Sequence, residues 1–257
     1  DGCAALAEKV AGSADKAVEL MNSRAKMLGM NGTVYTDCTG MEEGNVTTAN
    51  DTALLCSELA KYKNLTPYLT CWLDTVRDGK AELVNLNRLV RTYKGVTGMK
   101  AWGSEKAGSC IAATAEKGDM SVCVVLNGCD SQEDMNTEAK KLLNLAFDTY
   151  EIYTPELPED MVKEIVVCGG EELSVELAPE GLYPIVIPRG TYRMVECDFT
   201  AEEKLDAPVK NGETAGEIRY TMGGEVILEG KIVACKEVKK MNFICGIKKL
   251  VHNLLSM

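Results

Sequence analysis

Two serine–lysine pairs offer the first chemistry in this sequence: Ser13-Ala14-Asp15-Lys16 and Ser23-Arg24-Ala25-Lys26. A Ser-x-x-Lys arrangement uses lysine instead of histidine as the base for a serine nucleophile. Ser13 reads better as a helix cap, and Ser23 shares a polar helix face with Arg24 and Lys26, so neither pair stands out as the nucleophile. No Gly-x-Ser-x-Gly occurs, and the single histidine, His252, sits at the extreme C-terminus, out of place for a triad. The eleven cysteines are irregularly spaced and form no Cys-x-x-Cys. A zinc site is therefore not expected, and no cofactor is implied. Most cysteines stand in apolar runs such as Val122-Cys123-Val124-Val125 and Ile165-Val166-Val167-Cys168, where cysteine is expected to be a small buried hydrophobe.

The elements that must position such residues follow from the periodicity. Cys3, Leu6, Ala7 and Val10 recur at helical spacing, Gly12 breaks the run, and Ser13 caps a second helix that ends near Leu28-Gly29. Thr33-Val34-Tyr35 reads as extended and Thr39-Gly40 to Asn45 as a loop. Thr48 with Asp51 forms an aspartate variant of the capping box, opening a helix to about Tyr62. From residue 82 the period changes. Ser109–Ala115 and Met120–Leu126 are β-rich runs around the turn Glu116-Lys117-Gly118-Asp119, and Glu133–Tyr150 is a helix packing on that hairpin. Residues 1–150 thus read as an α+β domain. Tyr153-Thr154-Pro155-Glu156-Leu157-Pro158-Glu159 reads as an extended linker, after which residues 151–240 read as a small all-β domain of short strands.

Composition narrows the function classes. The 257 residues carry a net charge of −11, which argues against nucleic acid as a partner, because phosphate neutralisation needs a concentrated basic surface. No apolar run reaches the ~20 residues of a spanning helix. Residues 236–257 differ from the rest, with five lysines against one glutamate. Within 241–257, Phe243, Ile244, Ile247, Leu250, Val251, Leu254 and Leu255 share one face opposite Lys248, Lys249, His252 and Asn253. That pattern fits a helix lying in the plane of a membrane surface, or one docked on the protein's own core. The opening at Asp1, already in helical pattern and without Met, reads as the start of a fragment or processed chain.

The segment Val96-Thr97-Gly98-Met99-Lys100-Ala101-Trp102-Gly103-Ser104-Glu105-Lys106-Ala107-Gly108-Ser109-Cys110 resembles the Lys-Thr-Gly strand of the low-molecular-weight penicillin-binding proteins, the serine-type D-alanyl-D-alanine carboxypeptidases. Ala5-Leu6-Ala7-Glu8, Met21-Asn22, Ala25–Met30, Thr47-Thr48-Ala49 with Asp51, and Asn85-Leu86-Asn87-Arg88-Leu89 extend the likeness colinearly. Ala207-Pro208-Val209-Lys210-Asn211-Gly212-Glu213 is similar to a stretch of the family's β-rich C-terminal domain, and the tail to its membrane anchor. The resemblance implies a partial transpeptidase/β-lactamase-like domain followed by the β-rich domain and an amphipathic helix. It implies cleavage of the terminal D-Ala from peptidoglycan stem peptides through an acyl-enzyme, inhibition by β-lactams, and a place on the outer face of the cytoplasmic membrane. Lys100, Ala101, Trp102 and Gly103 would then bind substrate, with Lys100 supplying positive potential for the substrate carboxylate.

The departures from the family pattern are specific. Its catalytic Ser-x-x-Lys and Ser-x-Asn would lie upstream of Asp1, so no catalytic residue is assigned within the chain. Ala101-Trp102 replaces Thr-Gly after Lys100, removing a hydroxyl and adding an indole, and Thr39-Gly40-Met41 stands where many members carry His-Gly-Leu. These departures motivate the alternative of a non-catalytic paralogue that binds cell-wall peptide or a partner. A β-lactamase would need a deacylating base that the sequence does not offer.

Overall fold

The computed structural model describes residues 2–243. The chain forms two compact units that meet in sequence between Thr149 and Tyr150. The first unit opens with α1 (Gly2–Ala11), α2 (Ala14–Met27) and α3 (Ala49–Leu59). Ser13 caps α2 by accepting the Lys16 N–H at 3.3 Å, and Thr48 caps α3 by accepting the Asp51 N–H at 3.0 Å. Asp51 does not merely complete a capping box. Its nearly buried carboxylate accepts from the Gly32 N–H at 2.8 Å and the Thr33 hydroxyl at 2.7 Å, tying α3 to the loop that follows α2.

A short helix α4 (Thr66–Leu69) leads into a hairpin, β1 (Leu73–Val76) with β2 (Ala81–Val84), which the sequence reading did not foresee. Its signal is Asp78-Gly79, a hairpin turn pair, with Arg77 and Asp78 both at φ 57°. After α5 (Leu89–Thr92), an interrupted strand runs as β3 (Val96–Gly98) and β4 (Ala101–Ser104) along one edge of β5 (Gly108–Lys117). β6 (Met120–Cys129) pairs antiparallel with the other edge. The β5–β6 hairpin extends beyond the runs expected from sequence, since only Gly118-Asp119 separates the strands.

α6 (Gln132–Thr149) packs on this hairpin, burying Met135, Ala139, Leu143 and Phe147 at helical spacing. α3 contacts the same two strands. Cys56 on α3 clusters with Met99 and Ala112, against which Cys123 and Val125 of β6 pack. Leu6, Val10, Leu20 and Met27 of the first two helices are more than half exposed, so their apolar faces are largely uncovered within the chain.

The second unit is almost entirely β. β7 (Tyr150–Tyr153) pairs antiparallel with β10 (Ile185–Pro188). The other six strands form one sheet, ordered β11 (Val195–Ala201), β13 (Thr214–Met222), β14 (Glu225–Ala234), β9 (Ser174–Glu180), β8 (Glu164–Cys168) and β12 (Lys204–Asp206), with β12 parallel to β8. Alternation along these strands sends Ile165, Val167, Val175, Leu177, Ile218, Tyr220 and Ile232 into one core. The span expected as a linker from Tyr153 begins later, because Tyr153 belongs to β7 and meets Tyr220 edge to face, ring centroids 6.2 Å apart.

The cysteines correct the sequence expectation. Among the ten described, only Cys56 is fully buried; Cys123 and Cys168 are half-buried and Cys3, Cys71 and Cys235 exposed. Apolar neighbours in sequence alternate across a strand, so an apolar run does not by itself cover the thiol. No described helix is long and apolar enough to cross a membrane. The amphipathic pattern from Ile244 onward lies outside the described residues.

Candidate functional site

The edge strand breaks at Met99 and Lys100. Gly98 pairs with Thr114 and Ala101 with Ile111, and between these pairs Met99 adopts φ 77°, uncommon for a residue with a side chain. Gly98 itself is at φ 130°, and a Cβ there would lie 2.4 Å from Leu69 Cβ, so the position requires glycine. The break buries Met99 and leaves Lys100 exposed, while the Ala112 N–H still donates to the Lys100 carbonyl at 2.9 Å. The fold thus sets a cation on a kinked but anchored backbone.

Asn87 holds that kink from below. It is 0% exposed; its Nδ2 donates to the Gly98 carbonyl at 3.1 Å and its Oδ1 accepts the Leu89 N–H at 3.1 Å. Asn85 supports the same turn, donating to the Leu69 and Cys71 carbonyls and accepting the Asn87 N–H. Asn85 and Asn87 lie in a segment that carried the family resemblance, but their role as a clamp was not legible there, because it depends on where Gly98 comes to lie.

Lys100 borders two open grooves. One, of about 620 Å³, is walled by Pro67, Tyr68 and Leu69 and by Asp74, Leu83 and Val84 of the β1–β2 hairpin. The other, of about 540 Å³, runs along the sheet past Trp102, Cys110, Val125 and Asn127 and is closed by Asn45, Thr47 and Thr52. Lys100 makes no salt bridge among the described residues. Of the four residues assigned to substrate, Lys100 and Trp102 come together on the second groove, and Trp102 is 49% exposed. Ala101 is buried with its methyl in the core, and Gly103 lines neither groove. β4 pairs only with β5 among the described strands, so its outer edge has no ladder partner.

The loop that closes the second groove is held by Asp37 and Asn45. Asp37 accepts from the N–H groups of Thr39, Gly40 and Glu42, and Asn45 Oδ1 accepts from the Thr36 and Asp37 N–H groups. Hydrogen bonds from Gly40 and Glu42 lower the Asp37 carboxyl to about 2. A carboxyl held below its unfolded value, near ~3.9, stabilises the fold above that value and loses the contribution as pH falls through the folded one. Asp37→Asn is therefore expected to lower the thermal midpoint at neutral pH and to flatten its fall between about pH 4 and pH 2. A set of melts at stepped pH checks this; parallel curves for the two proteins would contradict it.

Residues 1–130 match the family described as D-alanyl-D-alanine carboxypeptidase. The chain belongs to that family. Residues 147–240 match the penicillin-binding protein 5 C-terminal domain. D-alanyl-D-alanine carboxypeptidase DacF of Bacillus subtilis is 32% identical over 254 residues, which is 97% of this chain but 65% of that protein. DacC of Escherichia coli is 30% identical over 95% of this chain and 61% of its own length. The chain thus spans less than two thirds of either relative. In fold it resembles penicillin-binding protein 5 of Haemophilus influenzae, with a TM-score of 0.76, 24% identity, and coverage of 92% of this chain and 70% of that one. The α+β unit followed by a β-rich unit is thus the penicillin-binding protein arrangement expected from the resemblance.

Proposed function

We propose that this chain carries the substrate-binding strand and groove of a serine-type D-alanyl-D-alanine carboxypeptidase that trims peptidoglycan stem peptides, with β-lactams as mimics of the terminal dipeptide. The observation that carries the reading is Lys100, an exposed cation bordering two grooves on a backbone break clamped by Asn87. A peptide ending in D-Ala-D-Ala presents a carboxylate, which the exposed Lys100 ammonium can bind by a charge-assisted hydrogen bond. The unpaired edge of β4 offers backbone groups to an extended peptide, and Trp102 offers an apolar wall. In the acyl-transfer reaction a serine oxygen attacks the carbonyl of the penultimate D-Ala, the terminal D-Ala leaves with the proton, and water then hydrolyses the ester. Ser13 is not that serine in this reading, since its hydroxyl is engaged as the cap of α2.

Binding of an N-acylated peptide ending in D-Ala-D-Ala can be read from Trp102 fluorescence in a Trp72→Phe background, as the chain holds two tryptophans. Lys100→Ala is expected to weaken that binding about tenfold or more, the loss of one charge-assisted bond of ~1.5–3 kcal/mol. Unchanged affinity would return Lys100 to an ordinary solvated lysine. The buried Ala101 methyl favours a second reading, binding without turnover, since no hydroxyl stands there to meet the substrate carboxylate. Binding by the whole protein without release of D-Ala would select it.

The site of action in this reading is the outer face of the cytoplasmic membrane. Residues 241–257 would bind an anionic surface in the plane through the stripe from Phe243 to Leu255, with Lys248 and Lys249 each adding ~1 kcal/mol. Anionic liposomes should sediment the full chain but not a version ending at Lys240. Equal sedimentation of the two would assign the tail to packing on its own protein.

A further inference from the structure

A pair of thiols lies between α3 and the sheet, and peptide binding makes no use of it. Cys56 of α3 is buried in the cluster with Met99 and Ala112, and Cys123 of β6 packs against that cluster. The two residues thus belong to one packed cluster across the seam between α3 and β6. The neighbouring Cys123 thiol holds the Cys56 thiol below its ordinary value, whereas Cys56, then burial, push Cys123 up. Their access differs. Cys123 borders an open hollow of about 340 Å³ together with Ser57, Thr114 and Ser121, while Cys56 is covered. Both are free thiols in this structure.

We propose that Cys56 and Cys123 form a redox modification site, in which an external disulfide of the glutathione class converts the pair into an internal disulfide that staples α3 to β6. The reachable Cys123 thiol gives up its proton, a step its raised pKa makes slow at neutral pH, and its sulfur attacks one sulfur of the external disulfide, whose S–S bond breaks. One half remains on Cys123 and the other leaves, taking up the proton that Cys123 gave up. The Cys56 thiolate, the more easily formed of the two, then attacks the Cys123 sulfur. The mixed disulfide breaks, and the second half leaves with the proton from Cys56. Two electrons pass from the protein dithiol to the external disulfide, which ends as two thiols.

The position of the pair gives the staple a consequence for the groove. Cys56 lies one helical turn after Thr52, which closes the groove containing Lys100 and Trp102. Met99, in the same cluster, is the residue whose left-handed backbone sets Lys100. Oxidation would fasten the helix that forms the groove wall to the strand that forms its floor.

The test treats the full chain, natively folded, with oxidised glutathione, blocks remaining thiols with N-ethylmaleimide, and maps linked peptides by mass spectrometry. The expected product is a Cys56–Cys123 peptide at least fivefold more abundant than after the same treatment in urea. A melting midpoint raised by about 5 °C or more, reversed by dithiothreitol and absent in Cys123→Ser, should accompany it. The proposal fails if Cys56 and Cys123 are both alkylated in the oxidised native chain. It also fails if another pair dominates, such as Cys110 with Cys129 on the adjacent strands β5 and β6. If Cys123→Ser does not fold, the peptide map of the unaltered chain decides alone.

Discussion

Asn87→Ala is expected to lower the unfolding free energy of the first unit by about 2–5 kcal/mol, although the substitution removes no charge and little apolar surface. The cost comes from the groups left behind. The Gly98 carbonyl loses its donor and the Leu89 N–H its acceptor, and Asn87 is fully buried, so water does not replace either. Denaturant melts should show a lower midpoint at unchanged slope. Asn87→Asp separates the two bonds. The introduced carboxyl can still accept from the Leu89 N–H, but once ionised it faces the Gly98 carbonyl with no proton to give. Burial and that carbonyl favour its neutral form, so its folded pKa lies above the unfolded ~3.9. The variant should therefore be nearest to the parent below about pH 4 and lose stability as pH rises toward its folded pKa. Equal losses at pH 4 and pH 7 would show that the clamp acts by shape rather than by hydrogen bonding. Peptide affinity should fall along with the clamp, because the backbone that Asn87 fixes is the one that carries Lys100.

That clamp also marks where the sequence stopped being readable. The helices through Leu59, the β5–β6 hairpin and α6 were legible because their apolar residues repeat at the periods their packing requires. Lys100 was singled out by the resemblance of its neighbours to a family strand, and it comes to border both grooves. The break at Met99 was not, since no local preference puts methionine at φ 77°; the Asn87 bond and the close approach of Leu69 to Gly98 impose it from elsewhere in the chain. The same holds for the grooves. Thr52 and Asn127 are ordinary polar residues in sequence, and they line the Lys100 groove only once α3 and β6 are assembled beside it. Ala101 and Trp102 are adjacent in the motif, but strand alternation buries one and exposes the other. The Cys56–Cys123 pair spans a helix and a strand far apart in the chain, and spacing gave no hint of it.

The second unit offers the other large effect, because its first strand runs up to Tyr153, the residue at which the linker was expected to begin. A segment of residues 150–243 is expected to fold alone, since its core is built from residues of that segment only. A segment starting at Glu159 omits β7 and Glu156. It loses the ladder from Tyr150–Tyr153 to Ile185–Pro188, the bond from the Gly190 N–H to the Glu151 carboxylate at 2.7 Å, and the Tyr153 ring against Tyr220. It also strands the hydroxyl of Tyr220, a fully buried residue that donates to the Glu156 carbonyl at 2.9 Å. An unpaired buried hydroxyl costs ~1–3 kcal/mol, and the lost burial of Tyr153 adds a similar amount, for a total of about 2–6 kcal/mol. A domain of this size has only ~5–15 kcal/mol to lose, so the shorter segment should melt at least ~8 °C below the longer one or not fold cooperatively. Tyr220→Phe in the shorter segment isolates the hydroxyl: it removes the stranded donor without opening a cavity and should recover most of that part of the cost. Matching melts for segments beginning at Tyr150 and at Glu159 would show that β7 is an ornament of the linker, with the six-stranded sheet sufficient by itself.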